Sequence, residues 1–177
     1  MSILYNASNR TIVTADINSA VALWNLDTGK IEHRFATYFG ARMLTQQWVK
    51  PGDEPHEIYA ASSDVKDESG NLLVTAYALR RPDGLWSLLL INKDPKESRD
   101  LTLVFRNGVG RVVKMVSPID VYQYSEAQYV LGGPAKDPYP IRAQEPSHHV
   151  INSDRAGRIV LPPYSMTIVR ANLSPKP

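Results

Sequence analysis

The sequence contains no cysteine. Disulfides, thiolate nucleophiles and cysteine-ligated zinc or iron–sulfur centres are therefore excluded. Histidine is scarce, with four residues, His33, His56, His148 and His149. None of them follows a His-x-x-x-His spacing, and adjacent His148 and His149 on an extended segment point to opposite faces. No metal site and no cofactor is expected. An excess of charge of one sign is lacking too: 20 Lys and Arg against 18 Asp and Glu leave a net +2. That balance supplies no general field for nucleic acid or anionic membrane, so neither is expected as a partner. Arg80-Arg81 and Lys93, Lys96 and Arg99 lie near turns with acids interleaved, the pattern of a solvated surface. The longest nearly apolar run, Leu85 to Ile91, is too short to span a bilayer. The opening Met-Ser-Ile-Leu-Tyr-Asn lacks the basic and apolar regions of a signal peptide. No Gly-x-Ser-x-Gly elbow occurs. Gly108-Val109-Gly110 lacks the third glycine of a phosphate loop and leads into a strand.

What is present is an ordinary globular composition: 177 residues, 43% hydrophobic and 21% charged. That length suits one domain with a real core and, at most, a small appendage. Strand signals dominate. Residues 11–15, 20–24 and 31–35 read as a small meander, separated by Asp16-Ile17-Asn18-Ser19 and Asp27-Thr28-Gly29-Lys30. Residues 36–49 differ. Good helix formers place Phe35, Phe39 and Met43 on one line and Ala41, Leu44 and Trp48 on another, and Pro51-Gly52 ends the helix.

From Glu57 onward the pattern is all β, with strands expected over 57–62, 72–80, 85–92, 99–106, 111–116, 119–124, 127–131, 148–152, 157–161 and 164–171. Arg81-Pro82-Asp83-Gly84 is a tight hairpin loop, with proline at a corner and glycine at the left-handed exit. Pro134, Pro138, Pro140 and Pro146 crowd the segment 132–146, which reads as a long extended loop. Pro162 and Pro163 cannot both sit in a central ladder. Many short strands punctuated by Gly/Pro turns indicate an all-β fold, an antiparallel β-sandwich of jelly-roll type with one helix near its N-terminus. Absence of βα alternation excludes a Rossmann fold or a complete βα barrel.

The acids, Asp53-Glu54, Asp64, Asp67-Glu68, Asp83, Asp94, Glu97 and Asp100, sit mostly in turns, where carboxylates are usually solvated. A retaining glycosidase needs two carboxyl groups about 5–5.5 Å apart, and nothing in the spacing selects such a pair. Nine tyrosines and three tryptophans could stack on sugars, but in an all-β chain they more often fill the core or cover its edges.

Five stretches carry a resemblance. Tyr38-Phe39-Gly40-Ala41-Arg42-Met43-Leu44-Thr45-Gln46-Gln47-Trp48-Val49-Lys50-Pro51-Gly52-Asp53 resembles the end of the catalytic barrel in family 39-like glycoside hydrolases, the β-xylosidase and arabinofuranosidase-like enzymes. Val74 to Asp94 resembles the central hairpin of their C-terminal β-sandwich. Tyr124-Ser125-Glu126-Ala127-Gln128-Tyr129 and Ile159 to Arg170 are similar to that domain's closing strands. In that family the catalytic acid follows an Asn, yet this sequence contains no Asn-Glu dipeptide. A whole barrel also needs about 250 residues, so no catalytic residue carries over. Asn9 to Gly29 resembles one blade of a WD-repeat propeller, of which about four are needed to close a ring. The expected division is thus a meander over 1–35, a helix over 36–50 resembling the last barrel helix, and a sandwich over 51–177.

The resemblance implies a non-catalytic accessory domain of a glycoside hydrolase acting on xylose- or arabinose-containing glycans, present without its barrel. A carbohydrate-binding module, with a glycan as ligand, and a small glycosidase in its own right are the alternatives. Strand 85–91 is apolar on both faces and needs two covers, one of them the helix. Without the barrel, an apolar patch on Phe39, Met43, Leu44 and Trp48 is expected as a docking surface for a barrel or for self-association. Leu103, Phe105, Met166 and Ile168 are expected in the core. If residues 1–35 are an appendage, deleting them leaves a folded remainder. A cooperative unfolding transition in the truncated protein checks this, and its loss would make the segment integral.

Overall fold

Residues 86–92 hydrogen-bond to a neighbour on each side, and most of their side chains are buried on both faces of the sheet. The rest of the molecule is arranged around them. The computed structural model describes residues 2–6, 11–15, 21–25, 30–34, 36–134, 139–152 and 157–174. The chain opens with an antiparallel meander, β1 (Ser2–Asn6), β2 (Thr11–Ala15), β3 (Val21–Asn25) and β4 (Lys30–Arg34), paired in chain order. Helix α1 (Ala36–Arg42) follows and continues as a π-helical stretch, Met43–Trp48. Next come β5 (Glu57–Tyr59), β6 (Val74–Arg80), β7 (Trp86–Asn92), β8 (Arg99–Thr102), β9 (Phe105–Arg106) and β10 (Val112–Val113). The chain then forms β11 (Met115–Tyr124), β12 (Tyr129–Gly132), β13 (Tyr139–Ala143), β14 (Ser147–Ile151), β15 (Arg158–Leu161) and β16 (Ser165–Leu173).

The main sheet is antiparallel, in the order β14-β11-β16-β7-β6-β5. Pairs β8–β15 and β9–β10 form a second layer on one face. There Leu88, Leu90, Val121 and Val169 meet Ile159 and Leu161. Gln123 ties the layers together, its Nε2 donating to Val160 O at 2.6 Å. On the other face Leu89 and Ile168 meet the helix. The fold is the expected all-β, sandwich-like one.

The differences from expectation are local. The expected strand 99–106 breaks into β8 and β9, and the expected strand 57–62 shortens to β5. The expected strands 111–116 and 119–124 give a short β10 and one long β11. Its register shifts between Val116 and Asp120 around the cis Ser117–Pro118 bond. The segment 132–146 is not all loop, because β13 pairs with β12. Pro140 is tolerated there because the pairing is only two-stranded and shifts register beside it. Phe35 lies outside the described residues. Of the four expected core residues only Ile168 is fully buried; Leu103, Phe105 and Met166 are half-buried. Leu103 and Phe105 sit in the short second layer, which covers one side of itself only. Thr167 and Val169, on the opposite face from Ile168, are also fully buried, since β16 is covered on both sides.

A buried polar knot closes one end of the central pair. Asn92 is 1% exposed. Its Nδ2 lies 2.8 Å from Pro162 O and 3.0 Å from Glu97 O, and its Oδ1 accepts from Asp94 N at 3.0 Å. Asp94 Oδ1 accepts from the N–H groups of Lys96 at 2.9 Å and Glu97 at 3.0 Å, and Asp94 Oδ2 pairs with Arg99. The Lys96 N–H, then Arg99 and the Glu97 N–H, pull the Asp94 carboxyl down to about 2. An unfolded Asp titrates near about 3.9. The stabilisation is therefore complete above about pH 4 and is lost as the pH falls toward about 2. Thermal melts between pH 5 and pH 2 should show this acid limb, and Asp94→Asn should flatten it while lowering the melting temperature at neutral pH.

Candidate functional site

The four residues expected to form a docking surface come together on the sheet. Met43 is 1% exposed and packs with Leu89, Tyr124 and Ile168. Phe39, Leu44 and Trp48 are half-buried against the same cluster. An ideal α-helix would hold the Phe39/Met43 and Leu44/Trp48 lines on separate sides. The π-helical stretch widens the turn and brings both lines onto the sheet. Its sign is the bond from Val49 N–H to Leu44 O, five residues back, at 3.2 Å. Leu44 and Trp48 thus spend much of their apolar surface inside the protein, and the face they leave open is smaller than that of a bare helix side.

Arg81, at the start of the β6–β7 turn, pins the end of this helix. Its guanidinium is buried, bonds Asp83 at 2.8 Å and donates to Gln47 O at 2.8 Å. A cation there satisfies a carbonyl that the helix end leaves open. Burial pushes the Asp83 carboxyl up, but the Arg81 hydrogen bonds and charge outweigh it and hold the group below the usual carboxylate range.

Beside the helix end lies an apolar strip that sequence reasoning missed. Trp48 meets Tyr77 edge-on at 6.5 Å between ring centroids. Tyr77 is 49% exposed and Ile58, on the edge strand β5, is 84% exposed. Ile58 pairs with Leu79, two residues beyond Tyr77, so the register puts Ile58 and Tyr77 on the helix side of the sheet. Alternation along 74–80 puts Tyr77 on the same face as Leu79. Only the position of the helix end shows which of these side chains stays open.

Several carboxylates stand beside cations. Asp94 pairs with Arg99, Asp100 with Arg158, Glu145 with Arg42 and Glu54 with Lys50. Asp120 Oδ1 lies 2.8 Å from His148 Nε2, with Arg170 at 3.7 Å and the His148 ring stacked on Tyr122. Glycosidase chemistry needs a general acid whose pKa is raised. The resolved carboxyl shifts, at Asp67, Asp83, Asp94 and Glu145, all run downward. Among the described residues no group of three His, Asp or Glu side chains could hold a metal ion. Among those residues no helix is long and apolar enough to cross a membrane.

Three aromatic rings line an open cleft of about 810 Å³ between the layers, where Ala76 and Ala78 leave the floor low. Tyr59 and Trp86 stand 4.6 Å apart at 50°, and Trp86 and Phe105 6.3 Å apart at 73°. These rings make walls of a cleft, not the coplanar platform expected of a sugar-stacking surface.

Fold and site together define a β-sandwich domain with a helix seated on its outer face. No protein-family model and no curated protein matches the chain. Among solved structures it is similar to the thermostable GH51 α-L-arabinofuranosidase from Thermotoga petrophila RKU-1, with 16% identity and a TM-score of 0.36 over 58% of this chain and 20% of that one. A second arabinofuranosidase structure gives 17% identity and the same TM-score of 0.36. The chain thus spans about a fifth of the length of these enzymes. A likeness this slight carries no weight in assigning an activity. Nothing in it supports the WD-repeat likeness of the front segment.

If Met43 holds the helix on the sheet, Met43→Ala should cost about 2–5 kcal/mol. Ile58→Ala, at an exposed edge, should stay within about 0.5 kcal/mol of the parent. Urea unfolding of both variants checks the contrast.

Proposed function

We propose that this protein is a non-catalytic β-sandwich accessory domain of a glycoside hydrolase acting on xylose- or arabinose-containing glycans. The observation that carries the reading is the helix seat. A helix resembling the last barrel helix of such enzymes is locked to the sandwich through Met43 and Arg81, while Trp48, Tyr77 and Ile58 leave an apolar strip beside its end. In this reading the strip meets a catalytic barrel, or a second copy of the chain when no barrel is attached.

The test pairs activity with association. The chain alone should hydrolyse neither aryl-xylosides nor aryl-arabinosides, and hydrolysis without an added partner would overturn the reading. Sedimentation should show association that grows with concentration, shifted toward monomer by Ile58→Glu. A monomer at every concentration would remove self-association through the strip. The second reading, a glycan-binding module, is favoured by the Tyr59/Trp86/Phe105 cleft. Its signature would be retention on insoluble xylan that Trp86→Ala abolishes.

A further inference from the structure

Strands β9 and β10, with their turn and the residues that flank them, present an outward face of mixed chemistry. Burial alternates along the segment. Leu101, Leu103 and Phe105 are half-buried and Val113 and Met115 are buried, while the residues between them are exposed. A solvated strand face is ordinarily polar. Here Val104, Val112 and Val116 are exposed, and Val109, in the turn, is 74% exposed. Arg106, Arg111 and Lys114 occupy other exposed positions of the same segment. The register sets Arg106 opposite Val112, so cation and valine share the outer face.

The charge of this segment has one sign. Between Asp100 and Asp120 the sequence holds Arg106, Arg111 and Lys114 and no acidic residue. Arg42, Arg80, Arg81, Arg99, Arg158 and Arg170 each stand beside a carboxylate. Among the described residues no carboxylate pairs with Arg106, Arg111 or Lys114, although Asp64 lines the same cleft as Arg106. Arg106 donates to Gly110 O at 3.3 Å instead. The near-neutral total removes a general field and leaves this local one. The turn is also fixed. Asn107 Oδ1 accepts from the N–H groups of Val109 at 3.1 Å and Arg111 at 3.0 Å, and Gly110 supplies a left-handed φ of 78°. A partner therefore meets valine and cations already in place, at little cost in ordering.

We propose that this hairpin docks on an anionic lipid surface. The three cations would stand among the headgroup anions, and Val109 would enter the apolar layer beneath them. A soluble polyanion would use the charges and leave the valines in water, so the valines favour the lipid surface. A protein interface is ordinarily anchored by large side chains, aromatic ones above all, seated in pockets. Phe105, the one aromatic residue of the hairpin, is turned inward against Trp86. This inference does not depend on the accessory-domain reading.

The test is co-sedimentation of the intact chain with vesicles of mixed phosphatidylserine and phosphatidylcholine, and with vesicles of phosphatidylcholine alone. Binding should require phosphatidylserine and fall as the salt concentration rises. Arg111→Gln and Lys114→Gln should each weaken it by about fivefold, the effect of one cation near such a surface. Val109→Ala should weaken it by about tenfold, because apolar surface is withdrawn from the lipid. All three positions are exposed, so the variants should melt with the parent. The hairpin sits at the Trp86 end of β7, and Lys96→Gln, past the other end, should leave binding unchanged. No binding to the phosphatidylserine vesicles would overturn the proposal. Vesicle binding indifferent to Val109→Ala, with retention on heparin beads that Arg111→Gln weakens, would mark a polyanion site and overturn it too. An equal loss on Lys96→Gln would mean attraction by any surface cation, and the assignment to the hairpin would fall.

Discussion

Strands β7 and β16 are buried on both faces, and that constraint organises the molecule. Leu88 and Leu90 point to one side of the sheet and Leu89 to the other, and Val169 and Ile168 are divided in the same way across β16. A sheet with one wet face could not hold such strands. One cover comes from the thin second layer of β8, β9, β10 and β15. The other comes from the helix, whose widened π-helical stretch turns two apolar lines onto the same surface. Met43 and Ile168 meet there with almost no exposure.

Polar groups set the positions of these covers. Apolar packing is non-directional and would let a helix or a layer slide; a buried hydrogen bond has one geometry. Arg81 links the β6–β7 turn to the helix end through Gln47 O. Gln123 links the main sheet to β15 through Val160 O. Asn92 and Asp94 gather the end of β7, the following turn and the Pro162-Pro163 corner. Leaving buried Arg81, Asn92 or Asp94 unpaired would cost more than its hydrogen bond adds. The helix seat and the apolar strip both lie on the one sheet face that the helix covers incompletely.

Much of the fold is legible in the sequence. The Pro82-Asp83-Gly84 corner, with Gly84 at φ 86°, marks the central hairpin, and the uninterrupted run from Leu88 to Ile91 calls for cover on both sides. The helix at 36–48 is visible from its composition and its Pro51-Gly52 stop. The π-helical stretch was not legible, because it arises from fitting two apolar lines to one flat surface. Strand β13 was hidden by its prolines, which argue against a strand unless the pairing is short and shifted, as it is here. The half-burial of Leu103, Phe105 and Met166 was hidden as well, since alternation assigns a face but not how well that face is covered.

The candidate site divides in the same way. Phe39, Met43, Leu44 and Trp48 could be selected from helical spacing alone, because local periodicity determines which side chains share a side. Ile58 and Tyr77 could not, because they become neighbours only through the register of β5 on β6. By itself the sequence determined the class of fold, the central hairpin and the helix, features written in local pattern and turn chemistry. Tertiary structure alone decided which apolar side chains are spent in the core and which stay open. Those outcomes depend on contacts between segments far apart in the chain, and no local pattern encodes them.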